Sequence, residues 1–448
     1  NTQTSTWTTE VNVYVPLRAT WQAYATHDFD LDEEFNNFLN SNIKVLLLLG
    51  DSGSGKSLYT QRLIAQQWQS YHAGDVIPLW ISLPSLQDPL HQVMQETLET
   101  AGFTIEAIEE ARTTRQFLLV LDGYDEIRQW QNLYVTNQLE EWQVKVIITC
   151  RREYLYLQDN YTLHFIPFAK DRAQRFAYSE MVVKPFNPGQ IDTYLQQVVG
   201  QGHTQWQDWQ RYRDTIDEIP GLSQLLATPF MLKMAMDVLP QLIEQHRQTA
   251  PEKRLQMTQA SLYDAFIQYW FERQEKKLID AHQISEEEDI KPAFWAYAKA
   301  LAQAMHQANV TQVHYQSQGD LFEEGTSNPW DKFFNPQLGQ IALMQTACLV
   351  REVSPHQYSF VHASMVEYFV TRGLYETILL EGFEAIGQSK EKEKEKEKEP
   401  EHEATKSSEA ANLLNARLLV QDNGFIQMSA DRVWQGEEGE RFKDWLFA

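Results

Sequence analysis

The residues best suited by type and spacing to do chemistry are Gly50, Asp51, Ser52, Gly53, Ser54, Gly55, Lys56 and Ser57, a G-x-x-x-x-G-K-S run. Glycines in such a loop let backbone N–H groups turn inward around a polyphosphate with no Cβ in the way. Lys56 reaches the β/γ-phosphates, and Ser57 offers a hydroxyl to Mg²⁺. The aliphatic run from Val45 to Leu49 reads as a buried strand leading into the loop, and Leu58 continues into a helix. The positive end of that helix adds a favourable field for an anion. A glycine-rich strand-to-helix turn with a chance Lys-Ser is the plainer reading, but it must treat this setting as coincidence.

Two further runs end in polar residues. Phe117-Leu118-Leu119-Val120-Leu121 is followed by Asp122-Gly123-Tyr124-Asp125-Glu126. An acid at the tip of a buried strand places Asp122 beside the phosphate loop, where it holds Mg²⁺ through water. Gly123 permits a sharp turn. Asp125 and Glu126 follow it, where they can orient and deprotonate an attacking water. The bland alternative is an acidic turn closing a core strand. Val144 to Cys150 is a second such strand, followed by Arg151, Arg152 and Glu153. An arginine at the C-terminal edge of a parallel sheet faces the nucleotide crevice. Arg151 can sense a γ-phosphate through charge-assisted hydrogen bonds. Surface salt bridging to Glu153 or Asp159 is the alternative.

The elements that must position these groups alternate. Strands are expected at 77–83, 117–121 and 144–150, with helices at 58–70 and 86–101. Nearly all-apolar strands between helices indicate a parallel sheet buried on both faces. Residues 163–168 and 181–183 are candidate edge strands. Val11, Val13 and Val15 alternate with polar neighbours, a short strand that Pro16 ends. Residues 28–39 form an acidic helix with Leu31, Phe35, Phe38 and Leu39 on one face. It either packs on the sheet or covers the nucleotide base. A helix is expected from Leu255 to Glu275. Residues 390–399 alternate Lys and Glu with no apolar residue, a solvated linker or frayed helix.

Composition bounds the rest. The chain has 448 residues, enough for several domains, with 43% hydrophobic and 22% charged residues. The formal net charge of −24 argues against a surface built for nucleic acid or anionic lipid. Cys150 and Cys348 both lie in apolar surroundings and read as buried thiols in a reducing, cytoplasmic compartment. No apolar run is long enough to span a membrane. The chain begins at Asn1 and carries no basic-then-apolar leader, so it reads as a fragment or processed chain.

The order of phosphate loop, L-D-G-Y-D-E and T-C-R-R-E resembles the NACHT class of STAND NTPases. An Asn-Lys-x-Asp guanine clamp of the small GTPases is not found. The resemblance implies an α/β P-loop NTPase domain, with helices on both faces of a parallel sheet. An α-helical domain, a winged-helix domain and further helices would follow it. The expected boundaries are a lead-in at 1–40, a nucleotide-binding domain at 41–185, a first helical domain at 186–250 and a winged helix at 251–388. A charged linker at 389–410 and the start of a second helical domain at 411–448 complete the chain.

Phe186-Asn187-Pro188-Gly189-Gln190-Ile191 resembles the lead into the family's first helical domain, although Gly189 fits a loop equally. The segment Leu225 to Leu232 resembles the one whose proline packs on adenine. That assigns Pro229 to the base, while a simple helix break, with Pro opening the next helix, fits the residues as well. Phe360-Val361-His362-Ala363-Ser364-Met365-Val366-Glu367-Tyr368-Phe369 resembles the family's F-x-H-x-S-x-x-E-Y-F. There the histidine reaches the ADP β-phosphate and latches a closed form. A helix-capping or core histidine is the alternative for His362. The resemblance also carries Leu58 into the nucleotide site.

The function implied is an ATP/ADP-controlled switch in immune or stress signalling that self-associates when ATP replaces ADP, with effectors and sensors lying outside the chain. Slow hydrolysis, with Glu126 as base, Asp125 assisting and Mg²⁺ on Ser57 and Asp122, would reset it. A constitutive ATPase motor that remodels a substrate is the alternative, with a small-molecule kinase behind it.

Overall fold

The computed structural model describes residues 13–21, 27–127, 129–155, 160–169, 172–249, 255–280, 283–285, 289–316, 328–335, 341–354 and 356–376, with 428 and 431. It divides into two compact units, Asn1–Gln256 and Met257–Ala448.

The first unit is built on a seven-stranded sheet in the order β2-β1-β9-β3-β6-β5-β4. Its strands are β1 (Arg18–Thr20), β2 (Phe29–Asp30), β3 (Val45–Gly50), β4 (Ile77–Ser82), β5 (Gln116–Asp122), β6 (Gln143–Arg151) and β9 (Tyr178–Val183). From β9 across to β4 all neighbours run parallel. β1 and β2 are antiparallel additions, so the sheet is mostly, not wholly, parallel. Every residue of β3 is buried, as a strand covered on both faces requires. The helix Lys56–Gln69 turns Tyr59, Thr60, Leu63 and Ile64 inward. Leu58 and Trp68, expected on its apolar face, are 61% and 47% exposed.

Several expected elements fold differently. The helix proposed for 86–101 is confined to Val93–Thr100. Pro89 disfavours helix before it, and the Glu96 carboxylate instead accepts the Gln87 and Asp88 amides. Residues 163–168 add no edge strand to the main sheet. Tyr161–His164 is a short 3-10 turn, and β7 (Phe168–Ala169) pairs with β8 (Arg172–Ala173) as a separate ribbon. Met181–Val183 does form strand, within β9, but β9 is interior because β1 pairs on its other side. The lead-in strand starts at Arg18, beyond Pro16 and not before it. The acidic helix spans Leu31–Asn40, capped by Asp30, whose Oδ1 accepts the Asp32 N–H at 2.8 Å.

Helices Pro188–Gly200, Trp209–Glu218 and Pro229–Thr249 complete the first unit. Asn187 and Gln190 form a capping box at the first of these.

The second unit packs helices Gln259–Asp280, Lys291–Gln307 and 364–376 with a three-stranded antiparallel sheet. That sheet runs β10 (Val313–His314), β12 (Gln357–Phe360), β11 (Val350–Ser354). The helix expected at 255–275 starts four residues later and runs to Asp280, because Thr258 and Ser261 exchange capping hydrogen bonds that set its start. Phe271, Phe294, Tyr368 and Phe369 are fully buried around it. The charged segment 389–410 lies outside the described residues, as does 411–448 apart from 428 and 431. Asp431 Oδ2 accepts the Ala260 N–H at 3.1 Å. Among the described residues no helix is long and apolar enough to cross a membrane. Cys150 and Cys348 are both free and buried.

Candidate functional site

The phosphate loop leaves the end of β3 at Gly50. A Cβ there would come within 2.7 Å of Ser54 Oγ and 3.2 Å of Val183 Cβ, so the loop can close only on glycine. Gly55, at φ 94, caps the helix Lys56–Gln69 from the left-handed region. Lys56 Nζ donates to Gly50 O at 2.7 Å and Asp51 O at 3.1 Å, inside its own loop. Ser52 Oγ is buried with no hydrogen-bond partner, an orphan that a phosphate oxygen would satisfy. These features fit a polyphosphate: a glycine-bearing loop, an ammonium held at it and a buried hydroxyl awaiting a partner.

The acid motif reaches this loop across an intervening strand. β6 lies between β3 and β5, so its tip is central. Thr149, on β6, donates its hydroxyl to Asp122 Oδ1 at 2.7 Å and accepts the Gly123 N–H at 2.9 Å. The Ser57 hydroxyl lies close enough to Asp122 to favour its ionised form. Burial pushes the Asp122 carboxyl above the usual carboxylate range, against the lowering effects of those two hydroxyls and of Lys56. A divalent cation beside Ser57 and Asp122 would favour the ionised form. Among the described residues no cluster of three or more His, Cys, Asp or Glu side chains could hold a metal. Ser57 and Asp122 suit an ion completed by phosphate oxygens, the usual manner for Mg²⁺.

The arginines are both engaged by acids of the site. Asp125 accepts the Arg151 backbone N–H at 2.9 Å and pairs with Arg151 Nε at 3.1 Å. Arg152 Nη2 pairs with Asp51 Oδ1 of the phosphate loop at 3.0 Å. The Glu153 side chain and Asp159, the alternative partners, lie outside the described residues. Glu126 closes a 3-10 turn through its N–H to Gly123 O at 2.9 Å. Its side chain is half-buried.

Pro229 is the first residue of the helix Pro229–Thr249 and lies against the loop. A Cβ on Gly55 would sit 3.6 Å from Pro229 Cγ and 3.8 Å from a Leu17 methyl. Phe230 N–H donates to Gly53 O at 3.5 Å. The lead-in segment is tied beside it: Pro16 O accepts Gln190 Nε2 at 2.7 Å, and Leu17 O accepts the Leu31 N–H at 3.0 Å. Leu17 was not foreseen. It lies in the lead-in. The only signal for it was an apolar residue just after Pro16. Thr149 and the Asp51–Arg152 pair were also missed, since no spacing rule links residues on separate strands.

His362 belongs to the second unit. It precedes the helix 364–376, and its Nδ1 accepts the Ser364 N–H at 3.3 Å. A capping role, one of the alternatives for this residue, is therefore present.

The NACHT domain family matches residues 44–198. The chain carries a NACHT domain. That match runs from just before β3 to near the end of the helix Pro188–Gly200, so the NACHT domain contains every loop, acid and arginine described above. It is a nucleotide-dependent P-loop NTPase domain. No curated protein matches the chain. A solved structure titled "Structure of Drosophila ORC bound to DNA" is similar at 13% identity, covering 76% of this chain and 86% of that one. Its TM-score of 0.27 is too low to carry an argument.

Proposed function

We propose that the protein is an ATP/ADP-dependent signal-transducing switch, held closed with ADP and opening to self-associate when ATP replaces it. The observation that carries this reading is the docking of Pro229 and Phe230 on the phosphate loop. The loop that holds phosphate is thus in contact with the first turn of a 21-residue helix. A change in the loop's occupant would move the helix, the coupling that a switch requires.

In this reading a bound nucleotide with Mg²⁺ supplies the phosphates and the adenine that the protein grips. Lys56 leaves the Gly50 and Asp51 carbonyls to meet the β/γ-phosphates. Ser57 and Asp122 hold Mg²⁺, with Thr149 fixing the Asp122 carboxylate. Pro229 and Leu17 pack on the adenine. Arg151 exchanges Asp125 for a γ-phosphate, leaving Asp125 to assist Glu126 in deprotonating water. His362 donates to the ADP β-phosphate and latches the closed form. Differential binding of about 5.5 kcal/mol inverts a 1:99 equilibrium, and a few charge-assisted bonds of about 1.5–3 kcal/mol each supply that order.

The three-stranded sheet and helices of the second unit support a winged-helix domain at 251–388, after a first helical domain at 186–250. Two buried free thiols suit a reducing cytoplasmic setting. Immune or stress signalling, through effector and sensor parts outside 1–448, is the setting proposed.

Denaturing freshly purified protein should release ADP, and steady-state turnover should be slow. Turnover near or above about 1 s⁻¹ would favour a remodelling motor. His362→Ala should shift the protein toward oligomers in sizing experiments with ATP; a monomeric variant would refute the latch.

A further inference from the structure

The stretch 13–17 has no regular secondary structure, so its place in the first unit is set by the contacts it makes. At one end lies Tyr14. The Arg62 guanidinium, from the helix Lys56–Gln69, sits over the Tyr14 ring with Cζ 3.4 Å from the ring centroid. Tyr14 OH donates to Asp32 Oδ2 at 3.1 Å, and Arg62 Nη1 pairs with the same oxygen at 3.8 Å. Each of the three groups thus meets the other two. Burial, aided by Asp32, pushes the Tyr14 phenol above its usual range, so it keeps its proton and donates.

At the other end lies Leu17, which is buried. Its carbonyl accepts the Leu31 N–H at 3.0 Å, and the Leu31 carbonyl accepts Tyr59 OH at 3.3 Å. Tyr59 and Arg62 lie about one turn apart on the helix that starts at the phosphate loop. Both ends of the stretch are therefore tied to that helix. The Leu17 methyls stand 3.8 and 3.9 Å from where a Cβ on Gly55 would sit. An isolated surface ion pair fixes little, because water screens it and two long side chains must be ordered. A guanidinium over an aromatic ring that shares its acid fixes more, being weakly hydrated and confined by the ring.

We propose that Tyr14, Asp32 and Arg62 are positioning residues that set Leu17 against the phosphate loop, and so govern how tightly the base of an adenine nucleotide is held, but not its phosphates. A stretch already in place loses less freedom when a ligand meets it. The proposal rests on the reading that Leu17 packs on adenine, and it names the groups that put Leu17 there. A clasp that added only stability would affect base and phosphates alike.

ADP, and pyrophosphate with Mg²⁺ as a probe with two phosphates and no base, are titrated into the nucleotide-free full chain by calorimetry. Tyr14→Ala should bind ADP about tenfold more weakly and pyrophosphate within about twofold of wild type. Tyr14→Phe keeps the ring beneath Arg62 and should bring ADP affinity back to within about threefold. Arg62→Gln should fall between the two. Equal weakening of ADP and pyrophosphate in Tyr14→Ala, or no change in either, overturns the proposal.

Leu17→Ala tests the reading beneath it. If that variant loses ADP affinity while Tyr14→Ala does not, the packing of adenine on Leu17 stands and the role of the trio falls. If Leu17→Ala binds ADP as the wild type does, the adenine reading falls and the proposal with it. Hydrogen exchange on the wild type needs no variant to fold. ADP should slow exchange across residues 13–20 by more than about threefold, and pyrophosphate should not. Equal slowing by both, or by neither, overturns the proposal.

Discussion

Lys56 and Lys145 lie near opposite ends of the strands of one sheet, and both are folded onto backbone carbonyls. Lys56 Nζ meets Gly50 O and Asp51 O at 2.7 and 3.1 Å. Lys145 Nζ meets Phe38 O, Ser41 O and Ile43 O at 2.7, 2.7 and 3.0 Å, with the Phe38 ring 4.8 Å away. The coordination is much alike, yet the roles differ. The acceptors of Lys145 lie at and just beyond the end of the helix Leu31–Asn40, where the Phe38 carbonyl also accepts from Ser41 and the Ser41 and Ile43 carbonyls lie past the helix. The acceptors of Lys56 belong to the G-x-x-x-x-G-K-S loop, which also holds the buried, unpartnered Ser52 hydroxyl. What an ammonium would leave behind, not how it is held, separates a working lysine from a structural one.

Exchanging each lysine for an apolar side chain of similar length breaks or sharpens this contrast. Lys56→Met should weaken nucleotide binding by about a hundredfold, the loss of a charge-assisted contact of about 2.7 kcal/mol, read by calorimetry. Its unfolding midpoint should fall less than that of Lys145→Met, because the Asp51 carbonyl keeps the Ser54 N–H. Lys145→Met should do the reverse. Carbonyls left without a donor should cost about 2–3 kcal/mol of stability in urea, with nucleotide affinity within about threefold of wild type. Equal losses of binding in both variants would erase the distinction.

Asp122 offers a smaller and pH-dependent test. Its carboxyl is held above the ordinary range chiefly by burial, so the folded state binds its proton more tightly than the unfolded chain does. The cost of the buried charge is full above the raised value and is relieved as pH falls through it. Nucleotide-free Asp122→Asn should therefore melt about 2–4 °C above wild type at neutral pH, and that advantage should shrink on acidification. The same variant should lose the Mg²⁺ dependence of nucleotide binding. A lower melting point at neutral pH would show that Thr149 and Ser57 need the carboxylate more than burial penalises it.

The smallest effect is expected from Arg152→Gln. Both partners of the Asp51 pair are about one-third exposed, and such pairs contribute about 0.2–1 kcal/mol. Chemical denaturation should detect a change of that size or less. A larger loss would mean that the pair shapes the phosphate loop.

Much of the site was legible because its chemistry depends on residue type at short spacing. Gly50, Gly55, Lys56 and Ser57 lie within one turn of chain, and Asp122 and Arg151 end apolar strands whose composition marks them as buried. Leu58, which follows the motif, has its side chain largely exposed. Periodicity also failed at 86–101, where Pro89 and the reach of Glu96 override helical spacing. Leu17, Thr149 and Lys145 were illegible for a common reason. Their partners, Gly55, Asp122 and the Phe38 carbonyl, lie on other elements, and no local pattern records which strands become neighbours.

Local chain chemistry was enough to settle that a phosphate loop stands between a buried strand and a helix, since glycine conformation, a lysine's reach and apolar runs act over a few residues. The insertion of β6 between β3 and β5 and the seat of Pro229 beside Gly55 were fixed by folding. Each depends on groups far apart in the chain meeting at hydrogen-bond distance, and that is a property of packing.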